Sequence, residues 1–270
     1  MAKTIGIVSI KGGVGKTTIA SSLAADLHNH HGKKVLLIDA NYSAPNLGLH
    51  MDIVKPKRTI HEVLDGKAKM SSAVHNKFGV DVIPGSYVWN GRLNYFKLKD
   101  KIKGLKGDYD FIIIDSSPSL NAEILSTMLA SDALFVVTTP DYPTLSTSLR
   151  AAKLAEQRGK PISGIIVNKT RDKLYEIGLK DIEKSVGIPV VARIPDDKKN
   201  VRALFTRIPT SVYNRKSKFS KEINRLSAAM LGKDEKRRFF RMFTPKSMRR
   251  EDVNRQLMKE SFYRGVFSWN

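Results

Sequence analysis

Lys11-Gly12-Gly13-Val14-Gly15-Lys16-Thr17-Thr18 follows an apolar, β-branched run, Thr4-Ile5-Gly6-Ile7-Val8-Ser9-Ile10, and precedes Ile19, Leu23 and Leu27 at helical spacing. Strand, glycine loop and helix in that order build a phosphate cradle. Gly12, Gly13 and Gly15 let the backbone curl so that several N–H groups point at one anion, and Val14 and Thr18 complete the loop and the helix start. A helix over residues 17–30 aims its positive end at the same point. Lys16 is placed to reach the β- and γ-phosphates, and the Thr17 hydroxyl to ligate Mg²⁺. A nucleotide is therefore the expected ligand.

The rest of the chain alternates in the same way. Apolar strands are predicted at 34–39, 80–83, 110–115, 133–138, 161–167 and 189–194. Helical patterns fall near 59–65, 121–130, 144–158, 174–185, 198–206 and 217–231. β-branched strands alternating with helices predict an α/β fold, a doubly wound, mainly parallel sheet with helices on both faces. Ligands bind beyond the carboxyl ends of such strands, where Ser9, Asp39 and Asp115 fall. Composition shifts near Gly232, which divides the chain into a nucleotide-binding domain, 1–232, and a basic, aromatic C-terminal segment, 233–270. Asp115 closes Phe111–Ile114 as a carboxylate held by a rigid strand for Mg²⁺ or its waters. A strand-end Asp that caps the next helix is the alternative.

Composition bounds the function. The 270 residues hold 47 Lys and Arg against 26 acidic residues, a net charge of +21. Residues 1–150 carry +5, residues 151–232 carry +10 and the last 38 carry +6. Most of the excess thus lies downstream of the phosphate loop and favours a polyanionic partner, nucleic acid or anionic lipid. With no cysteine, disulfides and thiolate metal sites are excluded. No apolar run approaches the ~20 residues of a membrane span, and nothing reads as a signal peptide, so a cytoplasmic location is expected.

The form KGGVGKTT, with Ile10 where the general loop has glycine and with the additional Lys11, resembles the deviant Walker A motif of the ParA/MinD family of ATPases. The resemblance covers roughly residues 3–231. It implies ATP and Mg²⁺ as ligands, slow ATP hydrolysis, a homodimer with ATP sandwiched between its subunits, and an activating partner protein. Lys11 then crosses to the partner's phosphates, as an arginine finger would. Asp115-Ser116-Ser117-Pro118-Ser119-Leu120 is similar to the family's switch II, with Ser117 for the first proline. Asp39-Ala40-Asn41 falls on switch I, where the family usually reads D-x-D. Asp39 then acts around Mg²⁺, while Asn41 stands where relatives carry the water-activating carboxylate. An amide can orient water by hydrogen bonding but cannot take its proton at neutral pH, so slow turnover is expected. An ATP-sensing adaptor that barely hydrolyses is the further alternative. Asn168, followed by Lys169 without the Asp of a guanine-binding N-K-x-D, matches the family's adenine-facing asparagine, although a strand-end turn residue is the plain alternative. Pro195 and Asp196 match the loop packed on the base, which carries one extra residue here.

Family members of this kind position cargo, chromosomes or division sites, on one of two surfaces. For DNA, the resemblance points to the basic residues of the C-terminal part of the domain: Arg193, Lys198, Lys199, Arg202, Arg207, Arg215, Lys216, Lys218, Lys221 and Arg225. The alternatives there are non-specific DNA binding and a solvated basic face without a partner. For membrane, Arg237, Arg238, Phe239, Phe240 and Phe243 interleave charge and apolar bulk as an interfacial anchor does. Those aromatics, with Val253, Leu257, Met258, Phe262, Tyr263, Phe267 and Trp269 further on, could equally pack back on the domain or bind a protein.

Overall fold

Every second residue of the central strands points to the same face, and that parity organises the molecule. The computed structural model describes residues 1–171, 174–233 and 249–264. Its strands are β1 (Lys3–Val8), β2 (Val35–Ala40), β3 (His75–Lys77), β4 (Val80–Ile83), β5 (Phe111–Ser116), β6 (Ala133–Thr138), β7 (Ile162–Thr170) and β8 (Val190–Pro195). They form one sheet in the order β3-β4-β2-β5-β1-β6-β7-β8, parallel except for the short edge strand β3. The main helices are α1 (Lys16–His31), α2 (Leu47–His50), α3 (Ile60–Leu64), α4 (Lys97–Lys103), α5 (Ala122–Ala130), α6 (Tyr142–Gln157), α7 (Leu179–Val186), α8 (Lys198–Phe205), α9 (Thr210–Tyr213), α10 (Lys218–Met230) and α11 (Arg250–Arg264).

Ile5 and Ile7, Val35 and Leu37, and Phe111 and Ile113 join one core with Leu23 and Leu27 of α1 and Phe219, Ile223 and Leu226 of α10. The alternate positions Leu36, Ile38, Ile112 and Ile114 join the opposite core with α3 and α4. Both faces are covered, which explains strands that are apolar at nearly every position. Gly6 is required where α5 crosses β1: a Cβ there would lie 2.7 Å from Leu134 Cδ2 and 2.7 Å from Ser131 Oγ.

The predicted strands match all seven strands other than β3 to within a few residues. The helix predicted from residue 174 begins only at Leu179, after Gly178, so Leu174 and Tyr175 stand in the preceding loop. β3, α2, α4, α9 and α11 have no counterpart in the sequence reading. Within the basic, aromatic C-terminal segment, α11 lies against β8 and α10 and places Met258 and Phe262 in the main core. Asn254 Nδ2 donates to Glu183 Oε1 at 2.6 Å and to the Val190 carbonyl at 2.7 Å. Arg255 Nη1 donates to Glu222 Oε1 at 2.7 Å and to the Val191 carbonyl at 2.9 Å. Residues 237, 238, 239, 240 and 243 lie outside the described residues.

Arg255 and Glu222 are both buried, and removing the arginine takes a donor from Glu222 Oε1 and from the Val191 carbonyl, while Arg225 and Arg249 still face Oε2. Arg255→Ala should lower unfolding stability by about 2 kcal/mol in chemical denaturation. Lys33→Ala, which breaks the exposed pair with Asp110, should cost less than about 1 kcal/mol.

Candidate nucleotide-binding site

The loop after β1 reaches α1 through glycine rather than through a capping side chain. Gly15, at φ 96°, is the N-cap of α1, with no side-chain cap and no acidic residue in the first turn. The first N–H groups of α1 therefore converge on open space with the helix dipole behind them. Gly13 also has positive φ, 77°. At Gly15 the demand is double: a Cβ would lie 2.4 Å from Asn168 Nδ2. That amide donates to the Val14 carbonyl at 2.7 Å, so β7 holds the loop from beneath.

Parity then brings the carboxylates in. Asp39 follows Val35 and Leu37 on the α1 face, and Asp115 follows Phe111 and Ile113 on the same face. The parallel register pairs Asp39 with Asp115 across β2 and β5. Thr17, in the first turn of α1, donates from Oγ1 to Asp115 Oδ2 at 2.6 Å and lies 3.0 Å from Asn46 Oδ1. Both carboxyl groups are fully buried. Burial first, and then the neighbouring Asp115, push the Asp39 carboxyl up to about 8. Burial pushes Asp115 up to about 6, while the Thr17 hydrogen bond and the Lys16 charge pull it down. Lys16 is itself buried, which lowers its pKa, with Asp115 acting the other way. Its Nζ lies 3.5 Å from the Lys11 carbonyl.

Two buried acids side by side with one buried lysine need a further positive charge before both can ionise. Asp115 Oδ1 is buried and has no hydrogen-bond partner. A hydroxyl, two hard carboxylates and an unpartnered oxygen fit a Mg²⁺ ion bound together with phosphate oxygens. Thr17 and Asp115 would hold it, Asp39 would orient its waters, and it would supply charge neutralisation to the phosphates.

Switch I hangs on Asp39. Its Oδ1 accepts from the Asn41 N–H at 3.1 Å and its Oδ2 from the Leu47 N–H at 3.1 Å. The Asn41 side chain donates to the Ala44 carbonyl at 2.5 Å and leaves its own Oδ1 buried and unpartnered. Such an acceptor can orient a water. Asn41 also keeps a third negative charge away from two buried carboxylates. Lys11 is exposed at the rim; against the effect of burial, hydrogen bonds from Thr139 and Thr144, and last the Lys11 charge, hold the Asp141 carboxyl below its ordinary range. Thr18 is half-buried as the third residue of α1. Pro195 ends β8, and the Asp196 N–H donates to the Thr170 carbonyl at 2.9 Å, which sets this loop beside the end of β7. Asp196 also pairs with Arg171 at 2.6 Å. Asn46 lies in Ala44–Leu49, which resembles the family's switch I continuation, but nothing in the sequence pairs it with a residue 29 positions upstream.

The basic residues separate into two groups. Arg193 pairs with Glu176 at 3.7 Å, Arg207 with Asp52 at 3.9 Å and Arg225 with the buried Glu222 at 2.9 Å. Lys198, Lys199, Arg202, Arg215, Lys216, Lys218 and Lys221 are exposed along α8 to α10.

Comparison with known proteins agrees with this geometry. The family model described as "AAA domain" matches residues 2–151. An uncharacterized ATP-binding protein of Methanocaldococcus jannaschii is 33% identical over 231 residues, 84% of this chain and 88% of that protein. The septum site-determining protein MinD of Thermotoga maritima is 31% identical over 246 residues, 86% of this chain and 89% of that one. Among solved structures, the septum site-determining protein MinD of Pyrococcus horikoshii, complexed with Mg-ADP, superposes with a TM-score of 0.80 at 31% identity, over 84% of this chain and 95% of that one. The chain belongs to the ParA/MinD family of P-loop ATPases.

Lys16→Ala should weaken ATP binding by at least about a hundredfold in calorimetry, because the buried ammonium is the charge nearest the phosphates. The raised carboxyl of Asp39 gives a second expectation. It holds a proton in the nucleotide-free state at pH 7 and must lose it beside Mg²⁺. Binding of Mg²⁺ and nucleotide at pH 7 should release about one proton, measured from the dependence of binding enthalpy on buffer ionisation. Asp39→Asn should abolish that release. The folded-state value lies above the unfolded one, so this group's contribution to nucleotide-free stability is lost as pH rises through about 8.

Proposed function

We propose that this protein is an ATP-driven switch that dimerises through its nucleotide face and, as a dimer, docks on DNA to position cargo on the nucleoid. The observation that carries the dimer is the distribution of exposed apolar side chains. Leu49 follows β2, Tyr87 and Val88 follow β4, and Leu120 follows β5. Tyr142 follows β6, Tyr175 follows β7, and Val201, Leu204 and Phe205 follow β8. All stand on connections that leave the carboxyl ends of strands, the end of the sheet from which the phosphate loop also leaves, and Phe205 is 89% exposed. Apolar surface gathered on one face favours burial against a partner. A second copy applied there would cover it and bring Lys11 to the opposite phosphates, where a cation in trans offsets transition-state charge. Asn168, Pro195 and Asp196 would border the adenine.

The exposed cations of α8 to α10 supply the DNA surface, and dimerisation doubles them. Each phosphate neutralised releases counterions, so the contacts add. A MinD-like membrane-associated spatial regulator is the second reading. The relatives named for septum-site determination favour it, as do Arg237, Arg238, Phe239, Phe240 and Phe243 in the sequence. Hydrolysis is slow in this account because Asn41 orients water without accepting its proton. An unidentified activating partner then sets the cycle.

Sedimentation with DNA and with anionic liposomes, each with and without ATP, separates the two surfaces. DNA should co-sediment only with ATP, and affinity should fall more than about tenfold between about 50 and 200 mM salt. Lys198→Glu with Arg202→Glu should abolish it. Liposome binding that Phe239→Ser with Phe243→Ser removes, with no DNA binding, would select the membrane reading. Asn41→Asp should raise the ATPase rate about tenfold with Mg²⁺ present. The same change should lower nucleotide-free stability, because it adds a third buried carboxyl. An unchanged rate with intact ATP binding would mean that the amide already suffices.

A further inference from the structure

Switch I has a second attachment that has nothing to do with phosphate. His61 lies in α3 and is wholly buried. Its Nε2 is 2.9 Å from the carbonyl of Tyr42, the residue after Asn41, and its Nδ1 is 3.0 Å from the N–H of Ser86. A carbonyl only accepts and an amide N–H only donates, so the imidazole is neutral with its proton on Nε2. The ring thus joins switch I to the loop that leaves the end of β4.

Its support is rigid. α3 starts in a reciprocal capping box between Thr59 and Glu62, and the Ile60 N–H donates to the Pro84 carbonyl at 2.9 Å. The Tyr42 ring meets His61 edge-on with centroids 5.9 Å apart and stacks on Tyr95 at 5.3 Å. Trp89, from the same loop as Ser86, lies 5.6 Å from the imidazole on ring centroids. The ionisable groups around the ring are Glu62 on its own helix, Tyr42 in switch I and Glu123 in α5, with Lys67 Nζ 5.3 Å from the Trp89 ring. Burial holds the imidazole below its ordinary range, against the opposing pull of the Tyr42 carbonyl, Glu123 and Glu62. Protonating Nδ1 would set an N–H against the Ser86 N–H and break that bond.

We propose that His61 is a positioning residue for ATP hydrolysis, a neutral two-pronged brace that fixes the Tyr42 carbonyl and through it the Asn41 amide. Switch I and the loop carrying Trp89 then move as one piece. The inference rests on the reading of Asn41 as the water-orienting group, and the test below separates the two. Displacing a water-orienting group by a fraction of an ångström costs rate and leaves nucleotide affinity alone.

The experiment compares His61→Leu, which makes neither bond, with His61→Gln, whose amide can still donate to the Tyr42 carbonyl. Single-turnover hydrolysis should fall at least about tenfold in the leucine variant, with ATP affinity by calorimetry within about twofold of the parent. The glutamine variant should recover to within about threefold of the parent. Its rate should also fall less on the acid side than the parent's, since the carboxyls of Asp39 and Asp115 are common to both. Trp89 is the second readout. In a Trp269→Phe background it is the sole tryptophan, and its emission should change on adding Mg²⁺ and ATP in the parent but not in the leucine variant. A leucine variant that hydrolyses at the parental rate, or a defect that glutamine does not rescue, would overturn the brace. If the parent itself hardly hydrolyses ATP, the hydrolysis reading fails while the Trp89 response still decides whether His61 couples the two segments. If the leucine variant does not fold, the rate and acid limb of the glutamine variant decide it.

Discussion

Two carboxyl groups lie in register on neighbouring strands, buried beneath the phosphate loop with one buried lysine beside them. Desolvation of both, and then the charge of Asp115 acting on Asp39, disfavour the doubly ionised state, and the raised values of the two acids express that cost. A divalent cation with a polyphosphate relieves it. Local strain in charge thus makes the ligand part of the structure, because the fold holds the acids together whether or not the cation is there. Strand parity fixes the arrangement: odd positions of β2 and β5 face α1, and the two acids continue those rows past the apolar core.

The switches are built outward from this pair. Asp39 accepts the N–H groups of Asn41 and Leu47, so its ionisation is transmitted to the backbone of switch I. Asp115 opens switch II, whose path continues through buried Ser117 to the α5 cap, where Asn121 accepts the Glu123 N–H at 3.0 Å. The P-loop is tied to the far side of the sheet by Asn168. The P-loop and switch I are thus each held by a buried side chain on a different strand, Asn168 of β7 and Asp39 of β2. That is how one small ligand could reorganise a face carrying so much exposed apolar surface.

Much of this was legible in the sequence. The glycine loop, the apolar strands and their terminal acids carry strong local signals, because fully buried parallel strands leave little freedom of composition. The helix boundaries at Thr59, Asn121 and Asp141 coincide with N-capping side chains. Other features depend on contacts distant in sequence. Nothing local marks Asn46 as the partner of Thr17, or His61 as the partner of Tyr42 and Ser86. α11 carries little amphipathic pattern, since it is fastened as much by Asn254 and Arg255 to β8 and α10 as by Met258 and Phe262. Arg193, Arg207 and Arg225 count toward a basic run in the sequence, yet each faces an acidic side chain in space. Charge counting cannot separate a paired arginine from a free lysine.

The central claim is that the nucleotide face is also the assembly face and that it reads the γ-phosphate. Sedimentation velocity of the full chain with Mg²⁺ and either ATP or ADP tests it most directly. The account predicts a dimer with ATP and a monomer with ADP. A chain that stays monomeric with bound ATP, or that dimerises equally with either nucleotide, would contradict it.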